Sequence, residues 1–275
     1  MGLFDAFRYD GKRALVVGGA TGMGAAAAEL VLDAGADVVV MDYADVTQDG
    51  VTAIHVNLAE KDSIDAAIAA LDGPIDALFS CAGIADGPGI ERINFIGHRY
   101  LIDVLLEKGL LPSGSSIGMI SSAAGLGWES NLELLNELLD ISDWDASVEW
   151  VLANQKADYL HMKQAMCAYV AREAYSLLKQ GIRINAICPG PTDTPLAQAN
   201  AETWLGFGAD YRADLAIEPS TPLDQALPLV FLCSDAARAI TGQTVISDAG
   251  YISAGVTNAF PDANMAASFL LGRLG

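Results

Sequence analysis

The chain has 275 residues, of which 52% are hydrophobic and 18% charged, with 27 glycines spread along its length. This composition can bury a large core and is not that of a disordered chain. A formal net charge of −20, from 35 acidic against 15 basic residues, argues against nucleic acid as a partner.

The first strand is predicted from Arg13 to Gly18, followed by Gly18-Gly19-Ala20-Thr21-Gly22-Met23-Gly24 and an alanine-rich helix, Ala25 to Asp33, closed by Gly35. A second strand, Asp37 to Met41, ends at Asp42. Strand, glycine turn, helix, strand and acidic residue in that order make a dinucleotide-binding unit. Glycines at 18, 22 and 24 permit tight turns and close approach to a pyrophosphate, and the helix N-terminus supplies amides and a positive dipole. Asp42 is placed to accept hydrogen bonds from an adenosine ribose. A 2′-phosphate beside it meets like-charge repulsion, with no arginine or lysine in the turn or at Tyr43 to relieve it, so NAD is favoured over NADP.

The alternation continues with a strand from Thr52 to Val56 running into Asn57-Leu58, a helix from Lys61 to Ala70, and a strand from Ala77 to Ser80 running into Cys81-Ala82-Gly83. A helix over Phe95 to Lys108 leads to a strand from Ile117 to Ile120, which finishes at Ser121-Ser122. A further helix begins near Tyr159 and reaches about Gln180; the strand Ile182 to Ile187 then ends in Cys188-Pro189-Gly190-Pro191-Thr192. A helix from Leu223 to Ser234 and a strand from Thr244 to Ser247 complete the order. The expected fold is a doubly wound parallel α/β sheet (Rossmann) in a single domain spanning 1–275, with functional residues at the carboxyl ends of strands. Two segments interrupt it. Residues 126–154 carry helical stretches at Leu132 to Leu139 and Val148 to Leu152; residues 195–222, with Trp204, Phe207 and Tyr211, form a connection long enough to cover a substrate. The tail, 254–275, ends in an apolar stretch, Met265 to Leu271, expected either to pack on a partner subunit or to fray.

Tyr159-Leu-His-Met-Lys163 carries the chemistry. Positions i and i+4 share a helix face, so the phenol and the ammonium point the same way. A fixed cation stabilises a phenolate and lowers a pKa that is otherwise near ~10, which lets a tyrosine exchange a proton with an alcohol. His161 points to another face and is expected to pack or face solvent. His55, His98 and His161 form no metal-ligand cluster, and Cys81, Cys167, Cys188 and Cys233 show no CxxC pair, so no metal is expected. No run approaches the ~18 to 20 apolar residues of a membrane span, and the first ten residues lack a signal-like pattern, so a cytoplasmic protein is expected.

With these motifs in order, residues 10–255 resemble a short-chain dehydrogenase/reductase. Gly18-x-x-x-Gly22-x-Gly24 is similar to the family's cofactor turn, Asn94-x-x-Gly97 to its asparagine pattern, and Ser122, Tyr159-x-x-x-Lys163 and Pro189-Gly190 with Thr192 and Thr194 follow. The resemblance implies that Tyr159 is the general acid/base, that Lys163 holds the nicotinamide ribose and keeps the Tyr159 pKa low, that Ser122 binds the substrate oxygen, and that Asn94 anchors a water in the proton relay. Ser121 is the alternative to Ser122, because only one of two successive strand residues faces the cleft; the family's spacing favours Ser122. It also assigns Thr21, Met23, Asn57, Leu58 and residues Cys81, Ala82 and Gly83 to the cofactor, with backbone near Thr192 gripping the carboxamide.

Three departures stand out: Cys81 where the family has asparagine, Asn57 where it has an acidic residue, and Ala249 where it has glycine. The first is expected to weaken support at the sheet centre. With Tyr159 lying 37 positions after Ser122, the chain is similar to the bacterial 3α-hydroxysteroid dehydrogenase/carbonyl reductase branch. That implies an NAD-dependent exchange between a secondary alcohol, a hydroxysteroid or other cyclic apolar alcohol, and its ketone, in a homodimer or homotetramer. The alternatives are a 3-oxoacyl thioester reductase of the same family and a non-catalytic dinucleotide-sensing protein.

Overall fold

Near-continuous apolar strands belong in a sheet covered on both faces, and the strands here are of that kind. The computed structural model describes residues 2–274. Its seven strands are β1 (Arg13–Val17), β2 (Asp37–Asp42), β3 (Thr52–His55), β4 (Ala77–Ser80), β5 (Ser116–Ile120), β6 (Arg183–Pro189) and β7 (Thr244–Ser247). They form one all-parallel sheet in the order β3-β2-β1-β4-β5-β6-β7. The order reverses direction between β1 and β4, where ligands of open α/β sheets bind. The chain thus has the expected doubly wound single-domain fold.

The helices are α1 (Gly22–Asp33), α2 (Lys61–Ala69), α3 (Gly97–Glu107), α4 (Leu132–Leu139), α5 (Trp144–Ala153), α6 (Tyr159–Leu178), α7 (Pro195–Gln198), α8 (Ala201–Trp204), α9 (Ala209–Leu215), α10 (Pro222–Cys233), α11 (Tyr251–Val256) and α12 (Asn264–Leu270). One face of the sheet is covered by α1 and α10 through Ala28, Val31, Leu229 and Leu232. The other is covered by α2, α3 and α6 through Ile64, Ile68, Leu101, Leu105, Met162 and Met166. A third cluster joins Cys167 and Cys188 to Tyr211, Tyr251, Ile252 and Ala267. The tail is therefore neither frayed nor free: α12 packs on its own chain, although Met265 and Phe269 remain exposed.

Several boundaries differ from those predicted. Helix α1 starts at Gly22 rather than Ala25, so part of the glycine turn is already helical. The helix predicted from Phe95 is preceded by a π turn, Arg92–Ile96. Strand β6 extends to Pro189, which its place at the strand end allows. Residues 195–222 fold into α7, α8 and α9 rather than an open connection.

The 126–154 segment docks on α3 through a buried arginine. Arg99 is 5% exposed, and donates to Ser147 Oγ at 2.6 Å and to the Leu138 carbonyl at 3.3 Å. Its guanidinium stands 5.5 Å from the centre of the Phe95 ring. Arg99 thus ties α4 and α5 to the core by charge-assisted bonds that burial strengthens and makes costly to break. Replacing Arg99 with Ala strips these bonds and leaves a void, and is expected to lower stability by about 2–4 kcal/mol. Chemical denaturation measures it, with proteolysis near 140–155 as a local readout.

Candidate active site

The carboxyl ends of β1, β2, β3 and β4 enclose a cleft of 520 Å³. Gly18 has φ +85°, and a Cβ there would lie 2.3 Å from the Ala82 nitrogen, so glycine is required to bring the turn against the end of β4. A Cβ at Gly24 would lie 1.9 Å from the Gly18 carbonyl oxygen. These two glycines close the turn on itself, and Gly22, with φ +60°, faces the cleft opposite Thr194. No side chain caps the first turn of α1, so its amides are available to an anion. Thr21, Met23, Asn57, Leu58, Cys81, Ala82 and Gly83 line the same cleft.

Asp42 sits at the end of β2 and accepts from the Ala20 and Ala44 amides at 2.8 and 2.9 Å. Each bond uses one oxygen, which leaves both able to accept again. Asn57 is spent locally, with its Oδ1 accepting from Ala59 and its Nδ2 donating to Glu60. No lysine or arginine lines the cleft. Its shape, glycine cradle and single carboxylate fit a dinucleotide whose phosphates are held by backbone.

A second cavity, of 280 Å³, adjoins it at the ends of β5 and β6 and contains Ser122, Tyr159 and Lys163. Ser122 and Ser121 separate as strand alternation requires. Ser121 donates to the Lys163 carbonyl at 2.9 Å and accepts from Cys167 Sγ at 3.2 Å. Ser122 accepts from the Ala124 amide at 3.2 Å and its hydroxyl side meets Tyr159. Of the two serines, Ser122 is the one beside the phenol.

Helix α6 begins at Tyr159 because Asp158 caps it, accepting from the His161 amide at 2.9 Å. His161 Nδ1 lies 2.7 Å from the other Asp158 oxygen, so the histidine serves the cap and stands apart from the cavity. Lys163 is 4% exposed, and its Nζ donates to the Ile120 carbonyl at 2.9 Å, leaving two N–H groups. The ammonium lies 5.6 Å from the centre of the Tyr159 ring. Burial pulls the Lys163 pKa down to about 8. Burial also pushes the Tyr159 phenol up to about 12, against the opposing effect of Ser122. The net effect on Tyr159 is upward, desolvation outweighing the Ser122 hydrogen bond, rather than the lowering expected from Lys163.

Asn94 lies in the π turn, fully buried, and its side-chain amide accepts from the Ile84 N–H and donates to the Ile84 carbonyl, both at 2.8 Å, which ties it to the loop after β4. One turn later, His98 Nε2 lies 3.0 Å from the Ala82 carbonyl, and burial pulls the His98 pKa down to about 4, so its neutral Nε2–H donates there. Backbone bonds from Cys81 and Ala82 to the Val17 carbonyl, at 2.8 and 2.9 Å, hold the sheet centre.

The remaining wall comes from Pro189, Gly190, Thr192 and Thr194 at the end of β6, with Leu196, Thr203, Trp204 and Phe207 beyond. Thr194 caps α7 by accepting from Ala197. The Trp204 ring lies 4.9 Å from that of Tyr159, and Arg212 braces the turn after it by donating to the Leu205 and Phe207 carbonyls. Leu270 of α12 also lines the cavity; sequence reasoning missed it, the only signal being the apolar run in the tail. Among the described residues, no cluster of His, Cys, Asp and Glu could hold a metal ion, and no helix is long and apolar enough to cross a membrane.

A parallel sheet with a glycine cradle at its switch point, and a serine, tyrosine and lysine beside it, is the arrangement expected of a nicotinamide-dependent oxidoreductase. Residues 145–252 match the family model described as "Enoyl-(Acyl carrier protein) reductase". The chain is 28% identical over 252 residues to the coniferyl-alcohol dehydrogenase of a Pseudomonas species, covering 88% of this chain and 97% of that one. It is 28% identical over 254 residues to the 3-alpha-hydroxysteroid dehydrogenase/carbonyl reductase of Comamonas testosteroni, covering 86% and 95%. In fold it resembles the 3-alpha-hydroxysteroid dehydrogenase of a Pseudomonas species solved with NADH, at a TM-score of 0.71 and 24% identity over 90% and 98% of the two chains. Over most of its length the chain is thus similar to dehydrogenases that act on alcohols.

The depressed Lys163 pKa carries a stability consequence. The folded chain holds the charged form at a cost that is fully present below about pH 8 and is relieved as pH rises towards the ordinary value of 10.5. Lys163→Met is therefore expected to unfold at a temperature no lower than wild type at pH 7, with any advantage shrinking above pH 8. Calorimetry across that range is the check.

Proposed function

We propose that this protein is an NAD-dependent oxidoreductase that interconverts a cyclic, apolar secondary alcohol and its ketone. The observation that carries the reading is the meeting of Ser122, Tyr159 and Lys163 at the floor of an apolar cavity that opens onto the glycine-lined cleft. In oxidation Tyr159 takes the hydroxyl proton, and in reduction it returns one to the carbonyl oxygen. Ser122 hydrogen-bonds the reacting oxygen. Lys163 uses its two spare N–H groups on the nicotinamide ribose, and its charge stabilises the phenolate once substrate and cofactor have displaced water. Asn94 acts by holding the loop after β4, which carries Cys81, Ala82 and Gly83 along the cofactor. A bound nicotinamide dinucleotide supplies the two-electron acceptor.

Gly18, Thr21, Gly22, Met23 and Gly24 then hold the pyrophosphate, Asp42 the adenosine ribose, Asn57 and Leu58 the adenine side, and Pro189, Gly190, Thr192 and Thr194 the carboxamide. The preference for NAD over NADP is supported by Asp42 and by a cleft lining without lysine or arginine. A homodimer or homotetramer is part of the same reading, supported by exposed Leu223, Leu227, Val245 and Ile246 on α10 and the edge strand β7. A carrier-bound thioester, suggested by the family model's description, is disfavoured by a net charge of −20 and by a cavity whose lining holds no cation besides Lys163.

Purified protein is expected to reduce NAD with a panel of cyclic secondary alcohols, and to bind NADH without turning over any of them if the sensing alternative holds. Tyr159→Phe should lower kcat by about 10²–10⁴-fold while leaving NADH binding intact; near wild-type turnover would remove the proton-transfer role. NAD should exceed NADP in kcat/KM by ~100-fold, about 2.7 kcal/mol. With the phenol pushed up to about 12, oxidation needs the deprotonated form, so its kcat/KM should climb from pH 7 to 9, while reduction, which needs the protonated form, stays nearly flat over the same range.

A further inference from the structure

Part of the wall of the substrate cavity comes from Leu270 in the tail of the same chain. Helix α12 holds its position through Ala263 and Ala267, both fully buried, against Gly255 of α11, where an added Cβ would lie 2.8 Å from that of Ala267. The helix stops at Gly272, φ +64°, with the Gly272 amide bonded to the Phe269 carbonyl and that of Arg273 to the Ser268 carbonyl, at 2.9 and 2.8 Å. That is a closed helix end. Ser130 Oγ donates to the Gly272 carbonyl at 3.0 Å. At Gly127 a Cβ would lie 2.9 Å from the Leu270 carbonyl oxygen. The residues after Ser122 and the tail are thus clamped together, and Leu270 is fixed where it meets the cavity.

The room left is small. At 280 Å³ the cavity lies just below the ~300 Å³ lower end of drug-sized pockets. Cys81, Gly83, Pro189, Gly190, Thr192 and Thr194, all assigned above to the cofactor, line it too, so the nicotinamide end takes part of that volume. Trp204, its ring 4.9 Å from that of Tyr159, also lines the cavity. Resting on the alcohol-oxidising reading, we propose that Leu270 is a specificity-determining residue: with Trp204 it sets a length limit, so that the site takes a neutral secondary alcohol of one or two rings and turns away four-ring steroids.

The test compares a single-ring with a four-ring secondary alcohol. Wild type is expected to favour the single ring by at least ~10-fold in kcat/KM, and Leu270→Ala to shift that ratio towards the four-ring substrate by ~10-fold. Leu270→Met, which keeps the volume, should preserve the ratio, as should Phe269→Ala on the exposed side of the same helix. Wild type that takes both substrates equally, or a Leu270→Ala ratio equal to that of wild type, would overturn the proposal. Binding of the two matching ketones, read by tryptophan fluorescence quenching, separates this proposal from the reading beneath it. If no alcohol is oxidised, tighter binding of the single-ring ketone still supports the length limit, and equal binding rejects it.

Discussion

Two hydrogen bonds lock the end of β5 to the start of α6, and the site depends on them. Ser121 donates to the Lys163 carbonyl and Lys163 Nζ donates to the Ile120 carbonyl, each at 2.9 Å. They are reciprocal, since each element gives a side chain to the other's backbone. Strand alternation then turns Ser122 away from Ser121 and towards Tyr159. Gly125 sits in the contact, where a Cβ would come 2.6 Å from Ser121 Oγ and 2.8 Å from the Lys163 carbonyl oxygen, so no side chain can pry strand from helix.

The electrostatics follow from the same burial. A chain with a surplus of 20 negative charges buries one ammonium, 4% exposed, beside a phenol, where interactions are strengthened. Desolvation raises the phenol and lowers the ammonium, so two groups whose ordinary values nearly coincide stand well apart here, at about 12 and about 8. Burial therefore keeps the proton on the phenol, and the ammonium becomes the easier of the two to deprotonate.

Much of this was legible in the sequence because it depends on local rules. The glycine turn, Asp42 at a strand end and the spacing of Tyr159 and Lys163 follow from backbone geometry and helical period, and the doubly wound parallel sheet from the alternation of apolar runs. What escaped depends on contacts between distant segments. Arg99 reads as a surface residue until Leu138 and Ser147 come over it. The commitment of Asn94 depends on where Ile84 falls, the fall of the Lys163 pKa on burial, and the wall made by Leu270 on the packing of α12. Residues 195–222 hold helices too short to show a period, fixed by Arg212 through carbonyls just before it and by the Tyr211 hydroxyl through the Ala249 carbonyl, 38 residues away.

The cavity lining reaches from Met23 to Leu270, so nearly the whole chain contributes to a space that can hold only a small molecule. Contacts of such long sequence separation form late and slowly in folding. No partial product of folding can therefore contain the chamber, and a population of collapsed intermediates would retain secondary structure yet be inert. Recovery of turnover after dilution from denaturant would then lag behind the return of helical signal, and the interval between the two would time the arrival of the last walls.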